Sequence, residues 1–144
     1  MSKLIIHTDG GARGNPGPAG IGVVIKKVGP SSAQGFGGQG ETHGFKKYIG
    51  ETTNNQAEYR AVILALEKAK ELGGEELEFY LDSELVVKQL NREYRVKDAG
   101  LAPLFVEVWN RGLHFKKITW HHIRREYNKE ADKLVNEALD EHFQ

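Results

Sequence analysis

The sequence predicts an α/β domain on a five-stranded mixed sheet: an antiparallel meander first, then parallel strands, with helices flanking the sheet. Two observations carry this. Three strand-like runs come first, with only Gly-rich or polar stretches between them, and short connections of that kind join antiparallel neighbours. Beyond residue 50, helical periodicity alternates with two further apolar runs, and strands reached through helices are added in parallel. The 144 residues suit a single domain, 1–144, long enough to bury roughly two-thirds of its unfolded surface.

Residues 3–9 read as a buried strand because Leu4, Ile5 and Ile6 form a short aliphatic run. Residues 10–20, rich in glycine and proline, hold too little side chain to pack and are expected to form a turn-rich loop. They match neither the dinucleotide fingerprint nor the Walker pattern. Residues 21–28 form a second strand, 29–40 a flexible hairpin connection, and 45–49 lie in a third strand. The first helix is expected over 55–72, because Ala57, Ala61, Val62, Ala65, Leu66 and Ala69 recur on one face. Thr53 and Asn54 suit its N-terminal cap, and Gly73-Gly74 stops it. Residues 77–81 make a fourth strand that delivers Asp82 at its C-terminal end. Helical spacing returns over 83–90, a charged connection covers 92–100, and 102–111 form another short helix. Residues 118–123 make the fifth strand. The last helix starts near Asn128 and buries Ala131, Leu134, Val135, Ala138 and Leu139. Trp109 and Trp120 are expected in the core.

Composition narrows the function classes. With no Cys there is no disulfide, no thiolate metal site and no Cys nucleophile. The N-terminus has no apolar signal region and no apolar run nears membrane-spanning length, so a soluble, cytoplasmic chain with no membrane partner is expected. Net charge is zero, 20 cationic against 20 acidic side chains, which argues against a polyanion binder held by bulk charge. That average conceals a local imbalance. If four acids serve a cation site, 20 − 16 leaves +4, and basic residues cluster at Lys46-Lys47, Lys116-Lys117, Arg124-Arg125 and among Arg92, Arg95 and Lys97.

Four acids stand at element ends. Asp9 and Asp82 fall where strands are expected to finish, and Glu58 and Asp132 fall in first turns of helices, in line with their buried faces. Ligands of open α/β sheets gather beyond the carboxyl ends of strands. Acids converging there cannot all stay ionised without compensating charge, and a helix N-terminus offers only about half a charge. A hard divalent cation resolves the conflict, and all-oxygen donors favour Mg²⁺ or Mn²⁺ over zinc. Independent caps or surface acids, such as a capping-box Glu58 folded onto its own helix end, remain the alternative.

Four segments carry a resemblance. They are Asp9-Gly10-Gly11 with Gly14-Asn15-Pro16-Gly17-Pro18-Ala19-Gly20, then Thr52-Thr53-Asn54-Asn55-x-Ala57-Glu58, then Asp82-Ser83-x-Leu85-Val86, and Arg125-Glu126-x-Asn128-x-x-Ala131-Asp132. In this order and over nearly the whole chain, they resemble the signature segments of type 1 ribonuclease H, in a short form without a basic protrusion. The resemblance implies a ribonuclease H-like fold and an endonuclease that hydrolyses the RNA strand of RNA–DNA hybrids, leaving 5′-phosphate and 3′-hydroxyl ends. It implies Asp9, Glu58, Asp82 and Asp132 as ligands of two Mg²⁺ ions, with Mn²⁺ as substitute, in a two-metal mechanism. Gly10, Gly11, Asn15, Asn54 and Asn55 would meet the minor groove of the hybrid duplex, and Thr53 a DNA phosphate. Asparagine amides suit a 2′-hydroxyl because both groups donate and accept. As turn and cap residues, Asn15 and Asn54 have purely structural explanations too. A monomer with no obligate protein partner is expected.

Two departures from the family pattern stand out. Many relatives place a catalytic His in a Gly-His loop ahead of the last Asp. Here His122 has that spacing, yet lies in or at the end of a strand and is followed by Ile123-Arg124-Arg125 without glycine. Arg125 is the favoured assistant to catalysis, with His122 the second candidate. The Lys- and Trp-rich protrusion is replaced by the short run Arg92-Glu93-Tyr94-Arg95-Val96-Lys97, which leaves double-stranded RNA open as an alternative substrate. A non-catalytic hybrid-binding module would require loss of one acid, and all four are present.

Overall fold

Leu4 and Ile6 point to one side of the first strand and His7 and Asp9 to the other, and this alternation decides what each sheet face receives. The computed structural model describes residues 2–28 and 41–144, so the hairpin connection expected at 29–40 lies outside the described residues. Strands β1 (Lys3–Ala12), β2 (Gly17–Val28) and β3 (Thr42–Thr52) precede helix α1 (Asn54–Glu71). Then follow β4 (Glu76–Leu81), α2 (Glu84–Leu90), α3 (Ala102–Gly112), β5 (Lys117–His122), a 3₁₀ turn (Arg125–Tyr127) and α4 (Lys129–His142).

The sheet order is β3-β2-β1-β4-β5. β1 pairs antiparallel with β2, and β2 with β3, whereas β1–β4 and β4–β5 are parallel. This is the expected five-stranded mixed sheet with flanking helices. Leu4, Ile6, Val23, Ile25, Leu77, Phe79 and Leu81 form one apolar face, and α1 covers it with Tyr59, Val62 and Leu66. The Tyr59 hydroxyl donates to Gln89 Oε1 at 2.7 Å, satisfying two buried polar groups and tying α1 to α2. α4 covers the other face, burying Ala131, Val135, Ala138 and Leu139, while Leu134 stays half-buried.

The stretch expected as a loop over 10–20 is mostly strand. β1 continues to Ala12 and β2 begins at Gly17, with Asp9 opposite Gly22, Gly10 opposite Ile21 and Gly11 opposite Gly20. Only residues 13–16 turn, closed by Arg13 N–H donating to Pro18 O at 2.8 Å. The physical reason lies across the sheet: a Cβ on Gly10 would strike the Ala57 carbonyl of α1, one on Gly20 would come 3.0 Å from the Val135 carbonyl of α4, and one on the following Gly22 would strike the Ala131 carbonyl. Here glycine marks a close helix–sheet approach rather than a turn. β3 is also longer than expected.

Two smaller corrections follow the same logic. α1 starts at Asn54, with Thr53 as its cap: Thr53 Oγ1 accepts from Gln56 N–H at 3.2 Å. Asn54 instead reaches across space, its Oδ1 accepting from Ala12 N–H at 2.8 Å. Trp120 packs on Phe79 with ring centres 4.5 Å apart, as a core aromatic should. Trp109 does not: it is 47% exposed, with the Arg92 guanidinium 4.8 Å above its ring. No described helix is long and apolar enough to cross a membrane.

Gly22→Ala is expected to destabilise the fold by about 1–3 kcal/mol through overpacking against α4, read as a lower urea midpoint. An unchanged midpoint would contradict the close approach.

Candidate active site

The parallel ladders end at Thr8 opposite Leu81 and Leu81 opposite His122, so Asp9 and Asp82 stand one residue beyond the paired ends. α1 enters over the same end of the sheet because Gly10 lets it. A Cβ there would collide with the Ala57 carbonyl and sit 2.7 Å from Glu58 N. The contact brings Glu58 to Asp9. Ligand-capable oxygens of Asp9, Glu58 and Asp82 lie within 4.8 Å of one another. The Gly10 N–H serves two of these acids, donating to Asp9 Oδ1 at 3.0 Å and to Glu58 Oε1 at 3.2 Å.

The third acid is oriented by Asn128. Its side-chain amide donates to Asp82 Oδ2 at 2.8 Å and to Thr8 O at 2.9 Å, joining the middle of β1 and the end of β4 to the start of α4. Asn128 is 1% exposed. Asp132, in the first turn of α4, lines the same cleft, as does Arg125, whose guanidinium is 3.9 Å from Asp132 Oδ1.

Burial of like charges sets the electrostatics. Desolvation first, then the neighbouring charges of Asp82 and Asp132, push the Asp9 carboxyl from its ordinary 3.8 up to about 7. Burial first, then the adjacent Asp9, raise Glu58 well above the usual carboxylate range. Among the described residues, three buried side-chain polar atoms lack a hydrogen-bond partner: Glu58 Oε2, Thr8 Oγ1 and Asn128 Oδ1. All three belong to this cluster or its immediate support. Glu58 Oε2 is thus a buried oxygen without a hydrogen-bond partner in a cluster of carboxylates, and a divalent cation is a group that fits there.

The chain matches a family model described as reverse transcriptase-like over residues 7–138. It is 38% identical over 138 residues to a bifunctional protein of Mycobacterium tuberculosis, covering 96% of this chain and 36% of that protein. Ribonuclease HI of Halobacterium salinarum is 41% identical over 140 residues, covering 96% of this chain and 65% of its own length. The chain thus spans from 36% to 65% of these two relatives. The structure of LC11-RNase H1 in complex with an RNA/DNA hybrid superposes with a TM-score of 0.85 at 44% identity, over 98% of this chain and 99% of that one. The chain belongs to the type 1 ribonuclease H family.

Against the type 1 ribonuclease H segments quoted from the sequence, the structure brings most of the named residues to one place. Asp9, Gly10, Gly11, Asn54, Asn55, Glu58, Asp82, Arg125 and Asp132 all line the cleft. Asn15 joins from the rim, its Oδ1 accepting from Asn54 N–H at 3.1 Å. Thr53 stands behind Asn54 as the helix cap. His122 is the last residue of β5, exposed, and does not line the cleft. Asn128 stands in the fourth segment, but its support of Asp82 is invisible there, because the partners lie 46 and 120 residues away.

The shifted carboxyls fix the sign of a pH effect on the metal-free protein. The unfolded chain releases the Asp9 proton near 3.8 while the folded chain holds it to about 7. The folded state binds more protons in that window, so stability falls as pH rises through it. Urea unfolding in chelating buffer should show this decline, and Asp9→Asn should make it shallower, leaving the part due to Glu58. A wild-type curve that rises from about pH 4 to 7 would refute the assignment.

Proposed function

We propose that the chain is a metal-dependent endonuclease that hydrolyses the RNA strand of RNA–DNA hybrids, with residues 1–144 forming one ribonuclease H domain. The observation that carries this is the convergence of Asp9, Glu58 and Asp82 within 4.8 Å, with Glu58 Oε2 buried and unpartnered. The donor set is all oxygen, which fits Mg²⁺, with Mn²⁺ as substitute. Asp132 would complete it. A bound pair of such ions supplies the charge that activates an attacking water and stabilises the departing 3′ oxygen, giving 5′-phosphate and 3′-hydroxyl ends. The hybrid bound by the LC11 relative supports the substrate class.

The chain's own groups divide the remaining work. Gly10 N–H and Asn128 hold the acids in place, so no reorganisation is needed at the moment of reaction. Arg125, beside Asp132, is placed to handle the leaving group. Strand choice falls to the asparagines. The carbonyl oxygens of Asn15 and Asn54 are already engaged by Asn54 N–H and Ala12 N–H, which leaves their NH₂ groups to donate. A ribose 2′-hydroxyl oxygen accepts such a bond and a deoxyribose cannot. Asn55 lies beside them, and Gly10 and Gly11 permit close approach of the duplex. Thr53 Oγ1 accepts from Gln56 N–H, so its hydroxyl hydrogen stays available to a DNA phosphate.

Incubation with labelled RNA–DNA hybrid and with the matching DNA duplex tests this reading. Only the hybrid should be cut, and equal cutting of both, or of neither with Mg²⁺ or Mn²⁺ present, sinks it. Asp9→Asn should lower hybrid turnover by about 100-fold or more at saturating Mg²⁺ while the fold is kept. Compared side by side, Arg125→Ala should reduce kcat more than His122→Ala does, and the reverse order would transfer the assisting role to His122. Asn54→Ala should narrow the preference for hybrid over DNA duplex, and an intact preference would take Asn54 out of strand choice.

A further inference from the structure

The cleft is lined by two cationic side chains, Arg125 and Arg13, and the function proposed above uses only the first. Arg13 sits in the turn between β1 and β2, and its backbone is fixed on every side. Its N–H donates to Pro18 O at 2.8 Å, Ala12 before it donates to Asn54, and Asn15 after it accepts from Asn54. A Cβ on Gly17 would collide with the Arg13 carbonyl, so the turn is packed tightly as well as bonded. The side chain runs the other way, onto α4, where one guanidinium nitrogen donates to Asp140 Oδ1 at 2.7 Å. An ion pair this exposed, 44% and 62% for the two side chains, contributes little to folding. It does fix direction. One donor is engaged and the others stay open toward solvent above the cleft.

Asp132, Asn136 and Asp140 lie at successive turns of α4, so Arg125 and Arg13 hold opposite ends of one helix stripe, ~12 Å apart along the axis. A strand whose scissile phosphate sits at the acids and whose ribose meets Asn15 and Asn54 must carry its next phosphates past the Arg13 end. We propose that Arg13 forms a second phosphate subsite: its guanidinium binds a phosphodiester of the strand being cut, a few nucleotides from the scissile bond, with Asp140 as the positioning residue. This rests on the hybrid-cleaving function. It adds a contact to the RNA backbone on the α4 side, where a pre-placed fork costs less ordering than a free side chain.

The test uses the full chain with labelled RNA–DNA hybrid and Mg²⁺, following cleavage and, in parallel, binding by fluorescence anisotropy over a salt series. Arg13→Ala should weaken binding about tenfold, raise KM with kcat little changed, and make the salt slope of log affinity shallower by about 0.9. Arg13→Lys should keep the wild-type slope, and Lys116→Ala, on an ion pair at the far end of β4, should change nothing. A single neutral methylphosphonate moved along the RNA strand should weaken wild-type binding at one position and leave Arg13→Ala indifferent there. An unchanged slope and KM in Arg13→Ala, or a sensitive linkage found only in the DNA strand, overturns the subsite. No metal-dependent cleavage of the hybrid by the wild-type chain would instead count against the proposed function, so the two failures are distinct. A thermal midpoint for Arg13→Ala within a few degrees of wild type confirms that folding is not what changed.

Discussion

The Gly10 N–H donates to Asp9 at 3.0 Å and to Glu58 at 3.2 Å, and it reaches both because the glycine has no Cβ to hold α1 away. One backbone donor serving two buried acids is a thin compensation for their charge. It nevertheless fixes the geometry, since the acid from the strand and the acid from the helix cannot separate without exposing the amide between them. Asn128 does the equivalent for Asp82, bridging it to Thr8 of β1. The cleft is therefore set by main-chain approach and one buried amide, both rigid, while the exposed side chains around it need supply only recognition.

Such an arrangement works against stability. Burial and neighbouring like charge push Asp9 up to about 7 and Glu58 well upward, so holding these acids together without a cation is unfavourable at neutral pH. The core beneath offsets this. α1 buries Tyr59, Val62 and Leu66 against three strands, and the Tyr59–Gln89 bond locks it to α2. The helix that carries Glu58 into an unfavourable place is the helix with the most extensive apolar contact. A site that must stay poised for cations can sit only on an element anchored that firmly.

Much of this is legible in the sequence, and what is not has identifiable causes. α1 shows itself through apolar spacing and its glycine stop, and the sheet through the order of its strands. Asp82 and Asp132 show themselves by falling at element ends, whereas Asp9 lies inside β1, just past the point where its parallel pairing with β4 stops. The glycines of residues 10–20 mislead, because turns and close helix–sheet contacts use the same residue, and only the positions of α1 over Gly10 and α4 over Gly20 tell them apart. Asn54 looks like a cap because caps need short polar side chains, yet it bonds to Ala12, 42 residues away. Trp109 looks like core by type alone, while Arg92 on its face lets it stay half in solvent. Asn128 carries no periodicity and no charge, so its part in holding Asp82 emerges only when three elements meet. In each case the missing information is a partner distant in sequence.

The neutral net charge also takes on a different meaning in three dimensions. Twenty acids balance twenty cations over the whole chain, but several acids are spent locally, Asp140 on Arg13 and Glu137 and Glu141 on Lys46. The cleft itself carries four carboxylates against two arginines. On the proposed function, this surface would repel a phosphate backbone when bare and attract one with divalent charge added. On the proposed reading, then, cations and hybrid must strengthen each other's binding, and by linkage the coupling is equal in both directions. On the same reading, the acids would gather the ions and the arginines at the two ends of the α4 stripe would hold the same ligand. A neutral chain would then hold a polyanion firmly with metals bound and release it without them.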